Sequence, residues 1–506
     1  MDGQPAESTR IVTADSPGNV TITAQALRHA LMCERRVWLD AHADSALRDP
    51  PAPEALRLYA LGSQHEAAIH AATAPEIEPV AIASWEEGVA VTRDLMRRGV
   101  SGILGACLEA RTPLDLTDAV YTLRGRVDRL VRVWHDGEAV YSPVEIKQRN
   151  HPEDADWLQL DLYVWLLSLI QGAAPPAELW LGADELGRPR RRLVHEYDED
   201  RLMAAALRAV HLLTSAPEPP VHIEPHCATC HWLASCQGIA RRERRIDLLY
   251  GVSRTTRANL EAAGIRRLED VVARSPDALQ AIKGIGPKTA PRIRANAQAW
   301  LENRPVWLDA LPEVCRQPGW MFDLETWEVR GRTVPWCMGW CDGDGQTLIA
   351  LVAPVQLPET LALPDGQTVI LAPDSDAAWE VFAGAVGEDD RPIFHWSGYD
   401  AAILRGSAPA HVTPQLMPRL HDLNATLKRV VSLPLKSTSI KPVSTHLGFA
   451  WPGYQDWFAA YLDYRHWLDT GSLEALAHAC LYQRADVQSM ALVWRWLVDH
   501  APLGPP

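Results

Sequence analysis

The spacing of apolar and polar residues changes several times along this 506-residue chain. Near the start, "TAQALRHALMCERRVWLDAHAD" repeats apolar residues at helical spacing, with Leu27, Leu31, Val37 and Trp38 on or near one face. A Pro-rich connector, "RDPPAPEA", precedes a second helical stretch, "ALRLYALGSQHEAAIHAAT", which carries His65 and Glu66. Between Tyr121 and Gln148 the period shortens to two. "YTLRGRVDRLVRVW", a turn at "HDGE" and "AVYSPVEIKQ" predict strand, turn and strand. "DADWLQLDLYVWLLSLI" then predicts a long apolar helix. Short helical stretches broken by glycines follow, including "LQAIKGIGPKTAPRIRANAQAW". Beyond "ENRP" the pattern predicts strands at "GWMFDLETWEV", "TLIALVAP", "TVILAP" and "RPIFHWS", and a closing helix, "SLEALAHACLYQRADVQSMALVWRWLVDH". No solenoid-type repeat occurs.

The length suggests about three domains at ~150 residues each. Hydrophobic content of 47% and charged content of 22% are those of a globular protein with ample core. The polar opening, "MDGQPAESTRIVTADSPGN", has no signal-peptide run, and no stretch reaches the ~18 apolar residues of a membrane span. A cytoplasmic protein with a disordered tail at 1–20 is expected, with no membrane association.

Nine cysteines in so long a chain do not make a disulfide scaffold. Cys107, Cys315, Cys337, Cys341 and Cys480 are scattered and expected to be buried small apolar side chains. The net charge of −15 argues against a general nucleic-acid binder, yet 241–304 holds 14 Lys and Arg against 7 Asp and Glu, a local balance of +7.

"HCATCHWLASC" places Cys227, Cys230 and Cys236 within ten positions. A metal centre built on thiolates normally needs a fourth ligand. The arrangement Cys33…Cys227-x2-Cys230-x5-Cys236 resembles the iron–sulfur signature of RecB-like nucleases, in which one cysteine precedes the nuclease core and three follow it. The resemblance implies a [4Fe–4S] cluster that staples the domain's two ends. A structural Zn2+, with His226 or His231 as a ligand, is the alternative that thiolate chemistry leaves open.

Between the thiols, Glu145 and Lys147 in "VEIKQ" lie two apart on a predicted strand and so share a face, with Asp128 on the adjoining strand. Asp128 and Glu145 suit a hard Mg2+ or Mn2+ ion, with Lys147 near an attacking water. This set resembles the PD-(D/E)XK motif. The resemblance spans Thr21 to Gln237 and implies a restriction-endonuclease-like fold. It also implies His65 as a further metal ligand, and Gln159 and Tyr163 in "QLDLY" as contacts to nucleic acid.

"IKGIGPKTAPRI" resembles the hairpin of helix–hairpin–helix motifs, and "YGVSRTTRANLEAAGI" a degenerate first copy. Gly284 and Gly286 are expected to turn the backbone so that amides meet a phosphate, with Lys283 and Lys288 adding charge. The NTPase loop G-x4-G-K-[ST] is absent from the sequence, so no ATP motor is recognisable.

A second acidic set follows. Asp323 and Glu325 share a strand face, Asp400 falls at a strand-to-helix junction, and Tyr482 and Asp486 lie one helical turn apart. The four acids suit two metals about 4 Å apart, with Tyr482 orienting the water. The set resembles the DEDDy pattern of RNase H-like exonucleases, specifically the YprB-type domain, over Trp307 to His500. That resemblance also covers Lys441 and the turn after it, though without a role for the lysine. Trp165 and Trp494 are expected in the core, and Trp396 as a base-stacking candidate.

The expected fold class is α/β multidomain. It comprises a tail at 1–20, a RecB-like nuclease at 21–240, an all-α helix–hairpin–helix domain at 241–305 and an RNase H-like 3′→5′ exonuclease domain at 306–506. The expected function is metal-dependent hydrolysis of nucleic acid, DNA rather than RNA, with repair as a natural setting. The alternative is a binding scaffold with one or both sites inactive, working with a helicase partner.

Overall fold

A computed structural model describes residues 20–73, 78–80, 84–113, 119–184, 186–329, 332–343, 346–387, 390–453 and 457–504. The tail expected at 1–20 lies outside these residues, except for Val20, which is buried. The chain forms two compact units, Met1–Cys236 and Gln237–Pro506. Among the described residues no helix is long and apolar enough to cross a membrane.

In the first unit, β1 (Thr21–Thr23), β2 (Glu78–Pro79), β3 (Gly102–Pro113), β4 (Val120–His135), β5 (Glu138–Lys147), β6 (Ala177–Leu181) and β7 (Arg191–His195) form a seven-stranded sheet. Its order is β2-β3-β4-β5-β6-β7, with β1 pairing parallel to β4. The helices are α1 (Ala24–Met32), α2 (Glu34–His42), α3 (Pro53–Thr73), α4 (Trp85–Arg98), α5 (Asp154–Gln171), α6 (Glu199–Thr214) and α7 (Leu233–Arg242), which crosses the unit boundary. α5 is apolar on most sides because it packs against the sheet as well as against α1 and α6, with Leu158, Leu162 and Leu166 fully enclosed. One charge on this helix is buried with partners. The Asp161 carboxylate takes hydrogen bonds from the Asp198 N–H at 3.0 Å and Arg201 Nε at 2.6 Å and lies 2.7 Å from His195 Nε2, so it is not left unpaired.

The helical pattern near the start does not run through. Cys33, at φ −156° and ψ 99°, separates α1 from α2. Its N–H closes α1 on the His29 carbonyl at 2.7 Å, and its carbonyl receives the Arg36 N–H at 3.1 Å. Periodicity reads through this break because one extended residue barely changes the face count.

The second unit opens with four short helices, α8 (Arg254–Ala262), α9 (Leu268–Val272), α10 (Pro276–Gln280) and α11 (Thr289–Glu302). After β8 (Val306–Trp307) and α12 (Glu313–Arg316) come β9 (Trp320–Val329), β10 (Arg332–Cys341), β11 (Thr347–Val352), β12 (Glu359–Ala362) and β13 (Thr368–Ala372). Then follow α13 (Ser375–Val386), β14 (Ile393–His395), α14 (Gly398–Ser407), α15 (Thr413–Leu416), β15 (Leu420–Asp422), α16 (Leu423–Val430) and β16 (Val431–Ser432). The last helices are α17 (Ile440–His446), α18 (Trp457–Thr470) and α19 (Leu473–His500). The large sheet runs β12-β13-β11-β10-β9-β14-β15. Its centre is an antiparallel meander of β9, β10 and β11, flanked by β14 parallel to β9. α19 packs across β9, β10 and β11, and this crossing brings Tyr482 and Asp486 to the sheet. Trp165 and Trp494 are buried as expected, and so are the five scattered cysteines.

Candidate functional site

The four thiols named in the sequence come from both ends of the first unit. Cys33 sits at the α1–α2 break, Cys227 in a short turn of 3-10 helix, Cys230 at its end and Cys236 in α7. Their charges act on one another. Burial first, and then neighbouring thiols including Cys33, push Cys227 up, and burial pushes Cys230 up to about 11. Arg35 hydrogen-bonds Cys236, and Arg36 is close enough to oppose the rise at Cys230. The two ends are also joined by carboxylates that the sequence did not single out. Asp40 is buried, accepts Trp232 Nε1 at 2.9 Å and lies 2.6 Å from His231 Nε2. Asp49 accepts the Ala234 N–H at 2.8 Å and donates its own N–H to the His231 carbonyl at 2.7 Å.

In the sheet of that unit, β4 and β5 pair as far as Arg129 opposite Val144. One step beyond, the Asp128 carboxylate accepts the Ile146 N–H at 2.8 Å. Lys147 Nζ donates to Glu145 Oε1. Among the described residues, Glu145 Oε2 is buried with no hydrogen-bond partner, and so is Nε2 of His65, whose ring hydrogen-bonds the Lys147 main chain. Burial and then the Glu145 charge hold Asp128 well above the usual carboxylate range. Burial raises Glu145 and Lys147 opposes it. Burial also works against the Lys147 charge, but Glu145 and Asp128 outweigh it and hold the ammonium on. His65 is pushed down, mainly by burial, toward the neutral imidazole that ligates metals. These two atoms and the half-buried Asp128 carboxylate are donors of the kind a hard divalent cation takes, though unlike the trio of the second unit their ligand atoms do not all fall within 4.8 Å of one another.

Gln159 and Tyr163 do share a face of α5, but they are not equally available. Tyr163 is 0% exposed, and its hydroxyl donates to the Arg126 carbonyl at 2.6 Å and accepts from Gln159 Nε2 at 2.6 Å. The expected direct contact from Tyr163 to nucleic acid is therefore corrected: the ring is covered by the sheet, and only Gln159 reaches the surface. Gly125 makes the space, since a Cβ there would fall 2.5 Å from Tyr163 Cε1. Gly125→Ala is expected to destabilise the first unit by about 1–3 kcal/mol through overpacking, measurable by thermal melting.

In the second unit, two hairpins match in kind. Gly264 at φ +77° and Gly284 at φ +88° each turn the chain in the left-handed region ahead of a buried isoleucine, Ile265 or Ile285. Asn259 Nδ2 ties the first copy to the second through the Lys283 carbonyl at 2.8 Å. Lys283 and Lys288 are exposed. Gly286 does not have the turn role expected of it. Its φ is not positive, and a Cβ there would meet nothing within 4 Å, so Gly284 alone makes the turn.

Among the described residues, one group of three metal-ligating side chains has its ligand atoms all within 4.8 Å of one another: Asp323, Glu325 and Asp486. Asp400 stands outside that set. It is buried in the first turn of α14, 3.7 Å from His395 Nδ1, and its charge reaches both Asp323 and Asp486. Burial and then Asp486, Asp400 and Glu325 hold Asp323 well up, and burial pushes Asp486 up to about 6 against the pull of Lys441. Lys441, which had no expected role, donates to the Tyr482 hydroxyl at 3.0 Å, and Tyr482 hydrogen-bonds Asp486. Such mutual repulsion among buried acids is relieved by a bound cation.

Two residues here escaped the sequence reading. Gln483 is fully buried, and its Nε2 donates to Asp323 Oδ2 at 2.8 Å and to the Asp323 carbonyl at 3.1 Å. Gly339 lies directly across from Asp323 on β10, where a Cβ would fall 2.7 Å from Gln483 Cγ. A glycine within the strand "CMGWC" was the available signal, since it marks a close approach. Gly339→Ala is expected to push Gln483 off Asp323, costing about 1–3 kcal/mol and lowering hydrolysis at this site, read by melting and by rate together. Trp396 is corrected as a stacking candidate. It is 8% exposed and donates Nε1 to the Thr438 carbonyl at 3.1 Å. The neighbouring Tyr399, 50% exposed, has its hydroxyl 2.6 Å from Thr326 Oγ1.

Buried and half-buried carboxylates gathered on two separate sheets, with a basic helical hairpin pair between them in sequence, suit metal-ion hydrolysis of nucleic acid. Comparison with family models agrees. Residues 20–237 match the PD-(D/E)XK nuclease superfamily, 249–299 the SAM-like helix-hairpin-helix tandem and 321–498 the RNase H superfamily. The chain carries a PD-(D/E)XK nuclease domain, a helix–hairpin–helix tandem and an RNase H-like domain, in that order. Nuclease domains of these kinds generally use Mg2+ or Mn2+. No curated protein matches. Among solved structures, one described as the crystal structure of SSO0001 aligns at 16% identity over 43% of this chain and 86% of that one, with a TM-score of 0.24.

Proposed function

We propose that the chain is a two-site nuclease that degrades DNA strands. In this reading the PD-(D/E)XK site is formed by His65, Asp128, Glu145 and Lys147, and the 3′→5′ exonuclease site by Asp323, Glu325, Asp400, Tyr482 and Asp486. The working limits of the domains are 21–240, 241–305 and 306–506. The observation that carries the reading is the convergence of Asp323, Glu325 and Asp486 within 4.8 Å.

Bound Mg2+ or Mn2+ would supply polarisation of the phosphoryl oxygen and a lowered water pKa. The protein's own part is separable. At the first site Lys147 holds its proton and stands beside Glu145, suited to balancing charge as a water attacks. Tyr163 buttresses Gln159, which is the group available to the strand. At the second site Gln483 fixes Asp323, and Lys441 and Asp486 fix the Tyr482 hydroxyl, suited to orienting the water. The exposed Tyr399 is the stacking surface in place of Trp396. Lys283, Lys288 and the backbone around Gly284 and Gly286 grip phosphates without reading sequence.

Cys33, Cys227, Cys230 and Cys236 hold a [4Fe–4S] cluster in this reading. The nearby Arg35 and Arg36 guanidinia suit an anionic thiolate-bound centre. All nine cysteines are free, in keeping with a reducing cytoplasm. A separate helicase is the expected partner. The test is degradation of end-labelled single- and double-stranded DNA and RNA with Mg2+ or Mn2+, comparing wild type with Asp128→Ala and Asp323→Ala. Products formed unchanged after both substitutions would overturn these site assignments, and no degradation by the wild type would leave the chain a binding scaffold.

A further inference from the structure

The helix–hairpin–helix tandem is not a free appendage of the second unit. Its last helix, α11, carries Asn296, a polar side chain only 3% exposed. That amide is fully engaged by groups that come from both sides. Its Oδ1 accepts the Tyr250 N–H at 2.8 Å, and its Nδ2 donates to the carbonyls of Leu433 at 2.7 Å and Leu435 at 3.3 Å. Leu433 and Leu435 belong to the RNase H-like part. Lys436 returns the contact by donating Nζ to the Asp247 carbonyl. β8, which follows α11 directly, pairs with β16, which precedes Leu433. A buried amide whose partners are all main-chain atoms fixes position more tightly than apolar packing, because any slip leaves a buried group unsatisfied.

The segment that receives α11 runs straight to the second acidic site. Leu433, Leu435 and Lys436 touch the tandem. Thr438 takes the Trp396 N–H, four residues from Asp400. Lys441, next along, donates to Tyr482. Eight positions thus separate the docking contact at Leu433 from a side chain of the site, and both ends are held by hydrogen bonds. A small cavity of about 90 Å3 lies at this junction, lined mostly by apolar side chains together with Arg292 of α11, Lys428, Ser437 and Thr438.

We propose that the helix–hairpin–helix tandem is the substrate-holding arm of the RNase H-like site. The strand whose backbone is gripped at Lys283 and Lys288 is the strand hydrolysed at Asp323, Glu325 and Asp486. This deepens the reading of that site as a nuclease and rests on it. It assigns the basic hairpins to one of the chain's two acidic sites, where the sequence order would let them serve either.

The test uses the full chain in two backgrounds, Asp128→Ala, which leaves only the second site, and Asp323→Ala, which leaves only the first. Lys283→Glu and Lys288→Glu are introduced together into each. Both lysines are exposed, so folding is not at issue. In the Asp128→Ala background KM for a single-stranded DNA is expected to rise about tenfold or more with kcat within about twofold, and the salt dependence of kcat/KM to become shallower. In the Asp323→Ala background the rise in KM is expected to be several-fold smaller than in the Asp128→Ala background. An equal rise in both backgrounds, a rise only in the second, or no change in the first overturns the proposal. If the Asp128→Ala protein with intact lysines degrades nothing, the reading of the acidic site has itself failed and the proposal with it. That outcome is distinct from an active Asp128→Ala protein that ignores the charge reversals.

Discussion

In protein already carrying Asp128→Ala, adding Asp323→Ala is expected to lower the remaining degradation rate by roughly a thousandfold. The size follows from the position of Asp323. It is one of three side chains whose oxygens meet within 4.8 Å, it is tied to the main chain of its own strand through Gln483, and its charge is opposed by Asp486, Asp400 and Glu325. Without it, Glu325 and Asp486 lack the third oxygen that a hard cation needs. Mn2+ binding, followed by calorimetry, should weaken in parallel. In the same Asp128→Ala protein with Asp323 intact, Mn2+ affinity should fall as pH drops through about 6. Burial has raised Asp486 to that point, and a proton there competes with the cation, so affinity is greater above it and lost below. A doubly substituted protein that degrades strands as fast as the Asp128→Ala parent would remove the second site from the function altogether.

Cys33→Ser is expected to lower the melting temperature of the first unit by about 10–20 °C, leaving the second unit's transition in place. Cys33 and Cys227 are 194 positions apart (227 − 33). Closing a loop of that length contributes about 5 kcal/mol in the chain-entropy account of crosslinks, and a domain of this size shifts by about 2–4 °C per kcal/mol. The polar joints at Asp40 and Asp49 remain in the variant, so partial folding should survive. Calorimetry of anaerobically purified wild type and variant, with iron and acid-labile sulfide assayed in each, checks this. A wild type that holds no metal yet melts as the variant does would dismiss the staple.

Much of the chemistry could be read from the chain because strands and helices place residues at fixed periods. Glu145 with Lys147, Asp323 with Glu325, and Tyr482 with Asp486 are local pairs, and their shared faces need no knowledge of the fold. Gly286 fails on its own backbone angle, whereas the other failures are cases where a distant segment decides. Tyr163 looks available on its helix, but whether the sheet covers that face depends on β4, 37 positions back at Arg126. Trp396 lies four residues before Asp400 in sequence, yet it is buried just after β14 with its indole N–H held by the Thr438 carbonyl. Gln483 and Gly339 form one device split over two elements, and neither half has meaning without the other. Asp400 falls outside the tight trio; it comes from α14, which follows a strand paired with β9 across about 70 residues of chain, and no local pattern encodes that approach.

The joints at Asp40 and Asp49 also bear on how this protein is made. The helices that open the first unit need His231, Trp232 and Ala234 to close against, and these lie about 190 residues later. At ribosomal speeds of ~5–20 residues per second, the opening helices wait roughly 10–40 s for their partners to be synthesised. During that interval Cys33 has no companion thiol from the far end. Loading of any four-thiol centre must therefore follow synthesis of Cys236, and cells short of the loading machinery should accumulate full-length chains whose opening helices are cut first by protease.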